Sequence, residues 1–136
     1  IGTSAAYSHL LPKLGGAAVE GIMATAFAPQ PYADDPVAAA RQWYAAYQGK
    51  YKEEPGQFAL MGYGLMDWTI KTLEKVGPNL STKAFITALE SSSFPRDKLG
   101  FAPMTFSKTK HLGSEAVLIG QMKNGRWVTV TDYTQP

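Results

Sequence analysis

The sequence predicts an α/β protein made of parallel-sheet pieces, three helices and a C-terminal β-hairpin, with part of its sheet lacking. Three observations carry that reading. The run VEGIMATAFAP is apolar without helical periodicity, the pattern of a strand buried on both faces in a parallel sheet. Residues 35–93 hold three helical patterns in succession. Asn124-Gly125 stands between two strand patterns, and a two-residue hairpin turn needs positive φ at both positions, which Asn and Gly tolerate. A parallel strand needs parallel neighbours, and the sequence offers too few of them. The chain therefore reads as part of a larger α/β protein.

Taken in order, the elements begin with a short helix in GTSAAYSHLLPKLGG. Thr3 and Ser4 suit its N-cap. Tyr7, Leu10, Leu11 and Leu14 recur at helical spacing, and Pro12 and Gly15-Gly16 limit its length. After the apolar strand comes PQPYADDP, a Pro-rich connector that ends in Asp35-Pro36, an N-cap followed by proline at the first helical position. The next helix places Val37, Ala40, Tyr44, Tyr47 and Tyr51 on one stripe, read as core packing. The longest helix, FALMGYGLMDWTIKTLEKVG, has Phe58, Met61, Leu65, Trp68, Thr69 and Thr72 on its stripe. Met61, Met66 and Trp68 are likewise read as core. Gly62 and Gly64 cost helix propensity and are read as sites of close packing. Gly77-Pro78 stops this helix. Ser81 caps a third one, with Phe85, Ile86 and Leu89 inward. GFAPMTFS follows as a short strand with Pro103 at an edge or bulge, and then the hairpin.

Composition narrows the function. The 136 residues suffice for one domain with a modest core. A net charge of +2 is small and scattered, with only Lys108, Lys110 and His111 clustered. Nucleic acid is not expected as a partner, because it needs a concentrated basic stripe. With no cysteine there is no disulfide, thiolate metal site or thiol nucleophile. His9 and His111 are too few and too isolated for zinc, and no phosphate-binding glycine loop occurs, so no cofactor is expected. Ser4, Ser8, His9 and Asp34 supply the residue types of a hydrolytic triad. Ser8 and His9 are adjacent, however, so their side chains diverge on a helix, and no G-x-S-x-G elbow exists. The chain is expected not to be an enzyme.

EGIMATAFAP, the Asp-Pro helix start and YQGKYKEEPGQFALMGYGLMDWTIKTLEKVG together resemble the C-terminal portion of type I periplasmic binding proteins. The branch they resemble is the leucine/isoleucine/valine-binding family of ABC-transporter receptors. The tail GFAPMTFSKTKHLGSEAVLIGQMKNGRWVTV is similar to that family's ending, a short strand before a Gly-x-Trp hairpin. The resemblance covers nearly the whole chain and rests on the order and spacing of its parts. It implies a partial type I fold: two α/β lobes joined by three crossovers, with the ligand in the cleft between them. Residues 1–29 would be a piece of the C-terminal lobe. Residues 30–112 would be a hinge crossover and a piece of the N-terminal lobe. Residues 113–136 would return to the C-terminal lobe as the hairpin. Ile1 would end a strand, and the helix after it would begin at the cleft.

The resemblance further implies a substrate-binding component of an ABC importer. Its partners would be a small-molecule ligand and an ABC permease, and its location periplasmic or extracellular. The alternative is a ligand-sensing regulatory or receptor module of the same fold. The turn at Thr3, Ser4 and Ala5 is the leading candidate site, because α/β folds bind ligands at the C-terminal ends of strands and helix starts offer free N–H groups. Amino-acid-binding relatives carry an acidic residue where Ser4 stands, and no Asp or Glu lies between Gly2 and Pro12. A neutral or anionic polar group suits this turn better than an α-ammonium. The plainer alternative is that Thr3 or Ser4 only caps the helix. Tyr7 is either an aromatic wall of the cleft or packed under the helix. Tyr32, in the hinge connector, either closes over the ligand or is a partly exposed loop tyrosine. Helices 35–93 lack the sheet they should pack on, which predicts self-association or a missing N-terminal portion.

Overall fold

The computed structural model describes residues 1–135. The elements run α1 (Leu11–Gly15), β1 (Met23–Ala26), α2 (Ala38–Tyr51), α3 (Gln57–Val76), α4 (Thr82–Glu90), β2 (Ser93–Phe94), β3 (Met104–Thr105), β4 (Leu118–Lys123) and β5 (Arg126–Thr129). Short 3-10 turns occupy Ser4–Ala6 and Gly16–Val19.

The first predicted helix is broken. Ser4–Ala6 is one 3-10 turn, and α1 begins only at Leu11. Pro12 explains the break: it lacks an N–H and its ring clashes with the carbonyl four residues back, so it fits a first turn and not an interior. The carbonyl of Ser8 accepts the Leu11 N–H at 3.1 Å and the indole N–H of Trp127 at 2.9 Å. Thr3 stands at the N-cap of the 3-10 turn but its side chain makes no capping hydrogen bond.

The apolar strand has one parallel contact and one antiparallel partner. Gly2 forms a parallel bridge with Ala24, with the Gly2 N–H on the Met23 carbonyl at 2.7 Å. On its other edge β1 pairs antiparallel with β4 from Met23–Gln121 to Ala26–Leu118. β4 then pairs with β5, giving a three-stranded sheet in the order β1-β4-β5. Asn124 (φ 53°) and Gly125 (φ 71°) make the expected turn. The Glu20 carboxylate accepts both of their N–H groups. β2 and β3 form a separate antiparallel pair, with Pro103 just outside it.

Two cores result. The sheet core joins Tyr7, Val19, Ala24, Leu118, Met122 and Trp127. Tyr7 is 1% exposed, its ring centroid lies 4.7 Å from that of Trp127, and a Cβ on Gly120 would come within 2.3 Å of it. The helical core gathers Ala28, Ala40, Leu60, Leu99 and Phe101. Gly64 is a close-packing site, since a Cβ there would meet the Phe101 ring at 2.7 Å. Gly62 is not; it faces open space. The aromatic stripe of α2 is core only at Tyr44, and Tyr51 is 54% exposed. On α3, Leu60 and Thr72 are buried and Met61 and Trp68 half-buried, whereas Phe58 is 72% exposed and Leu65, Met66 and Ile70 about half exposed. Ile86 of α4 is also exposed. Ser81 caps α4 as expected, accepting the Ala84 N–H at 3.1 Å. Tyr133 ties the cores together: its hydroxyl lies 2.8 Å from the Phe27 carbonyl and 2.6 Å from that of Gly100.

Candidate functional site

The sequence-predicted residues fall into three settings. Thr3, Ser4 and Ala5 are exposed on the turn that follows the Gly2 bridge to β1. The N–H groups of Ser4 and Ala5 have no partner among the described residues, because the first N–H groups of any helical turn lack an internal acceptor. Tyr7, three residues on, is in the sheet core. Its hydroxyl accepts the Gln30 N–H at 2.9 Å, and burial pushes its pKa well above the ordinary tyrosine range. Tyr32 stands apart from both, half-buried in the connector.

A residue that sequence reasoning passed over joins the turn to α3. Gln57, the first residue of α3, is 5% exposed and donates through Nε2 to the Ser4 carbonyl at 3.0 Å. Its Oε1 is buried without a partner. A buried polar atom left unpaired is uncommon enough to need a reason. In sequence Gln57 reads as an ordinary polar residue at a helix start. The local hint is Pro55-Gly56, which holds the helix entrance close: a Cβ on Gly56 would lie 2.4 Å from the His9 ring.

Tyr32 lines a cavity of about 480 Å³ between α1, the connector, the α2–α3 loop and the hairpin turn. Its hydroxyl accepts the Trp127 N–H at 2.8 Å, its ring lies under the Arg126 guanidinium at 4.1 Å, and burial raises its pKa. Arg126 also grips Asp34 with two N–H groups, at 2.8 and 2.5 Å, and holds that carboxyl below the usual range. Lys13 pairs with Glu54 on the opposite wall and lowers its pKa in the same way. Asp35 accepts the Val37 N–H at 2.8 Å, but α2 starts only at Ala38 with Val37 at its N-cap and no side-chain cap, so the expected Asp35 cap with Pro36 at the first helical position is not formed. Among the described residues no group of three or more His, Cys, Asp or Glu could hold a metal ion.

The model of the family described as "Periplasmic binding protein" matches residues 1–126. The chain belongs to the periplasmic binding protein family. Solved structures agree on the fold. A leucine-binding protein from Thermotoga maritima superposes with a TM-score of 0.70 at 21% identity, covering 98% of this chain and 36% of that one. A branched-chain amino acid ABC transporter structure from Thermus thermophilus with bound valine gives 0.73 at 20%, covering 95% and 37%. A Rhodopseudomonas palustris ABC-transporter solute binding protein in complex with benzoate gives 0.67 at 19%, covering 93% and 34%. The chain thus spans about a third of the length of these periplasmic binding proteins. A search of curated proteins finds no match. The family is one of solute-binding proteins, and the fold is a partial type I arrangement.

Proposed function

We propose that this chain forms one wall of the solute-binding cleft of an ABC importer's periplasmic receptor. Residues 1–29 and 113–136 would act as pieces of the C-terminal lobe, and residues 30–112 as hinge crossover and N-terminal-lobe piece. Thr3, Ser4 and Ala5 contact the solute, and Tyr7 holds their turn from below. Tyr32 belongs to the hinge and acts there on closure. The carrying observation is the Ser4 turn: exposed hydroxyls and two N–H groups unpartnered among the described residues, with no carboxylate between Gly2 and Pro12. Such a set favours a carboxylate or neutral polar group, since N–H donors and the positive end of a helical turn both attract negative charge. An α-ammonium would find no counter-charge there. That the related structures hold valine in one case and benzoate in another supports a family tolerant of both kinds of solute.

The exposed apolar faces of α3 and α4 support a further part of the reading. They call for a cover, either a second copy of this chain or a preceding segment of the receptor. A permease is the natural partner of the closed state, and the periplasm its location.

Titration of the chain with benzoate and with valine, followed by ligand-observed NMR, tests the solute reading. Benzoate is expected to bind more tightly than valine. Ser4→Glu is expected to reverse the order, with benzoate weakened by about 10-fold, equivalent to ~1.4 kcal/mol. Equal affinities that ignore Ser4→Glu would remove the turn from the site.

A further inference from the structure

Three segments distant in sequence meet behind the Ser4 turn, and two buried glutamines hold them together. Gln57, at the entrance of α3, donates through Nε2 to the Ser4 carbonyl at 3.0 Å. Gln30, where the connector begins, gives its backbone N–H to the Tyr7 hydroxyl at 2.9 Å and its Nε2 to the Pro55 carbonyl at 2.9 Å. Tyr7 follows Ser4 closely in the chain, and Gln57 follows Pro55. The contacts therefore close a ring that runs from Ser4 through Tyr7, Gln30, Pro55 and Gln57 back to Ser4. Gly56 lets the α3 entrance come this close, because a Cβ there would run into the His9 ring.

Stability alone does not call for glutamine at position 57. The residue is 5% exposed, and its Oε1 is sealed inside without a partner. A buried acceptor left unpaired costs at least as much as one neutral hydrogen bond returns. Nor does the Ser4 carbonyl depend on the Nε2, since it also accepts the Tyr7 N–H within the turn at 3.2 Å. Methionine, of similar length, would fill the space with no orphaned oxygen. What the amide adds is direction: a donor on a fixed carbonyl pins the turn to α3, where apolar packing would let it shift. Groups that bind a ligand need this kind of support from behind to keep their geometry.

We propose that Gln57 is a positioning residue: from α3 it fixes the shape of the Ser4 turn and, through that shape, the turn's affinity for solute, without touching the solute itself. The affinity part rests on the reading of Ser4 as a solute contact. The sealed Oε1 takes no part. On that same reading Ser4 and Gln57 belong to pieces of opposite lobes, so the bond makes the shape of the turn depend on where α3 stands.

Amide exchange on the unliganded chain tests the positioning, and benzoate titration tests its consequence. The Ala6 and Tyr7 N–H groups are bonded within the turn, to the Thr3 and Ser4 carbonyls, and report on it. In Gln57→Met their exchange is expected to speed up at least about 10-fold. The Met122 N–H, bonded to the Ile22 carbonyl in the sheet region, is expected to keep its rate, and the melting temperature not to fall. Benzoate is expected to bind at least about 10-fold more weakly to the same variant. Gly56→Ala, which drives the α3 entrance away from His9, is expected to loosen the same two amides with the glutamine intact. Unchanged exchange at Ala6 and Tyr7 in both variants overturns the positioning role, whatever benzoate does. So does exchange that rises at Met122 as well with a lower melting temperature in Gln57→Met, because that marks an ordinary structural contact. A loosened turn with unchanged benzoate affinity overturns the link to solute. A loosened turn in a chain whose wild type binds neither benzoate nor valine removes the solute reading at Ser4 and leaves Gln57 as the residue that fixes the turn.

Discussion

The two cores of this chain differ in how well they are closed. Around β1, β4 and β5 the large side chains Tyr7, Leu118, Met122 and Trp127 are all buried, and the Tyr7 hydroxyl and the Trp127 indole have partners. Around α3 the same chain buries Leu60 and Phe101 on one side and leaves Phe58, Leu65 and Met66 in the open on the other. One edge of β4 is completed locally by the hairpin to β5, and its other edge by β1 from the far end of the chain. A helix face is completed only by another layer, and that layer here is not supplied by the described residues. The sheet region closes a core of its own, whereas the helical region leaves an apolar face uncovered by the described residues.

Truncation across the sheet core gives the largest expected effect. Trp127→Ala removes the ring on Tyr7 and the bond to the Ser8 carbonyl, and is expected to cost about 3–5 kcal/mol in chemical denaturation. Next, Leu60→Ala on the closed side of α3 should cost about 2–5 kcal/mol, while Leu65→Ala on its open side should stay within roughly 0.5 kcal/mol. A Leu65→Ala loss as large as that of Leu60→Ala would mean that the open face is covered in solution, and the contrast would collapse. Sedimentation velocity then asks what covers it: Phe58→Asp is expected to weaken any self-association of the chain by at least about 10-fold. A wild-type chain that stays monomeric at every concentration assigns the face to another segment instead.

The smallest effect concerns pH. Asp34 and Glu54 have folded pKa values held below ordinary by Arg126 and Lys13. Their contribution is thus present above the ordinary carboxylate range of about 4 and is lost as pH falls through the lowered values. Both pairs are exposed and screened, so the loss should be modest and should shrink further in high salt. A steep, salt-independent acid transition near neutrality would show that something else titrates.

What the sequence made legible was local. The Asn124-Gly125 turn, the Ser81 cap and the amphipathic helices follow from φ preferences and periodicity within a few residues. The antiparallel partner of β1 was not legible, because β4 lies some ninety residues away and an apolar strand does not state its neighbour's direction. Nor was β2, whose two residues carry no periodicity. At the candidate site, the exposed Ser4 turn was readable from residue type. Tyr7 was left open between wall and core, and the fold places it in the core against Gly120, a neighbour that only long-range pairing supplies. Gln57 and Gln30 went unseen, since glutamine is usually a surface residue and nothing local marks its burial.

Tyr133 gives the two cores a joint with slack built in. A hydroxyl has one proton, and here two carbonyls, on Phe27 and Gly100, compete for it within 2.8 Å. Rotation about the C–O bond hands that proton from one strand of chain to the other without breaking the tether. Replacing Tyr133 by Phe would leave both carbonyls without this donor and remove the hydroxyl that holds the two segments to each other.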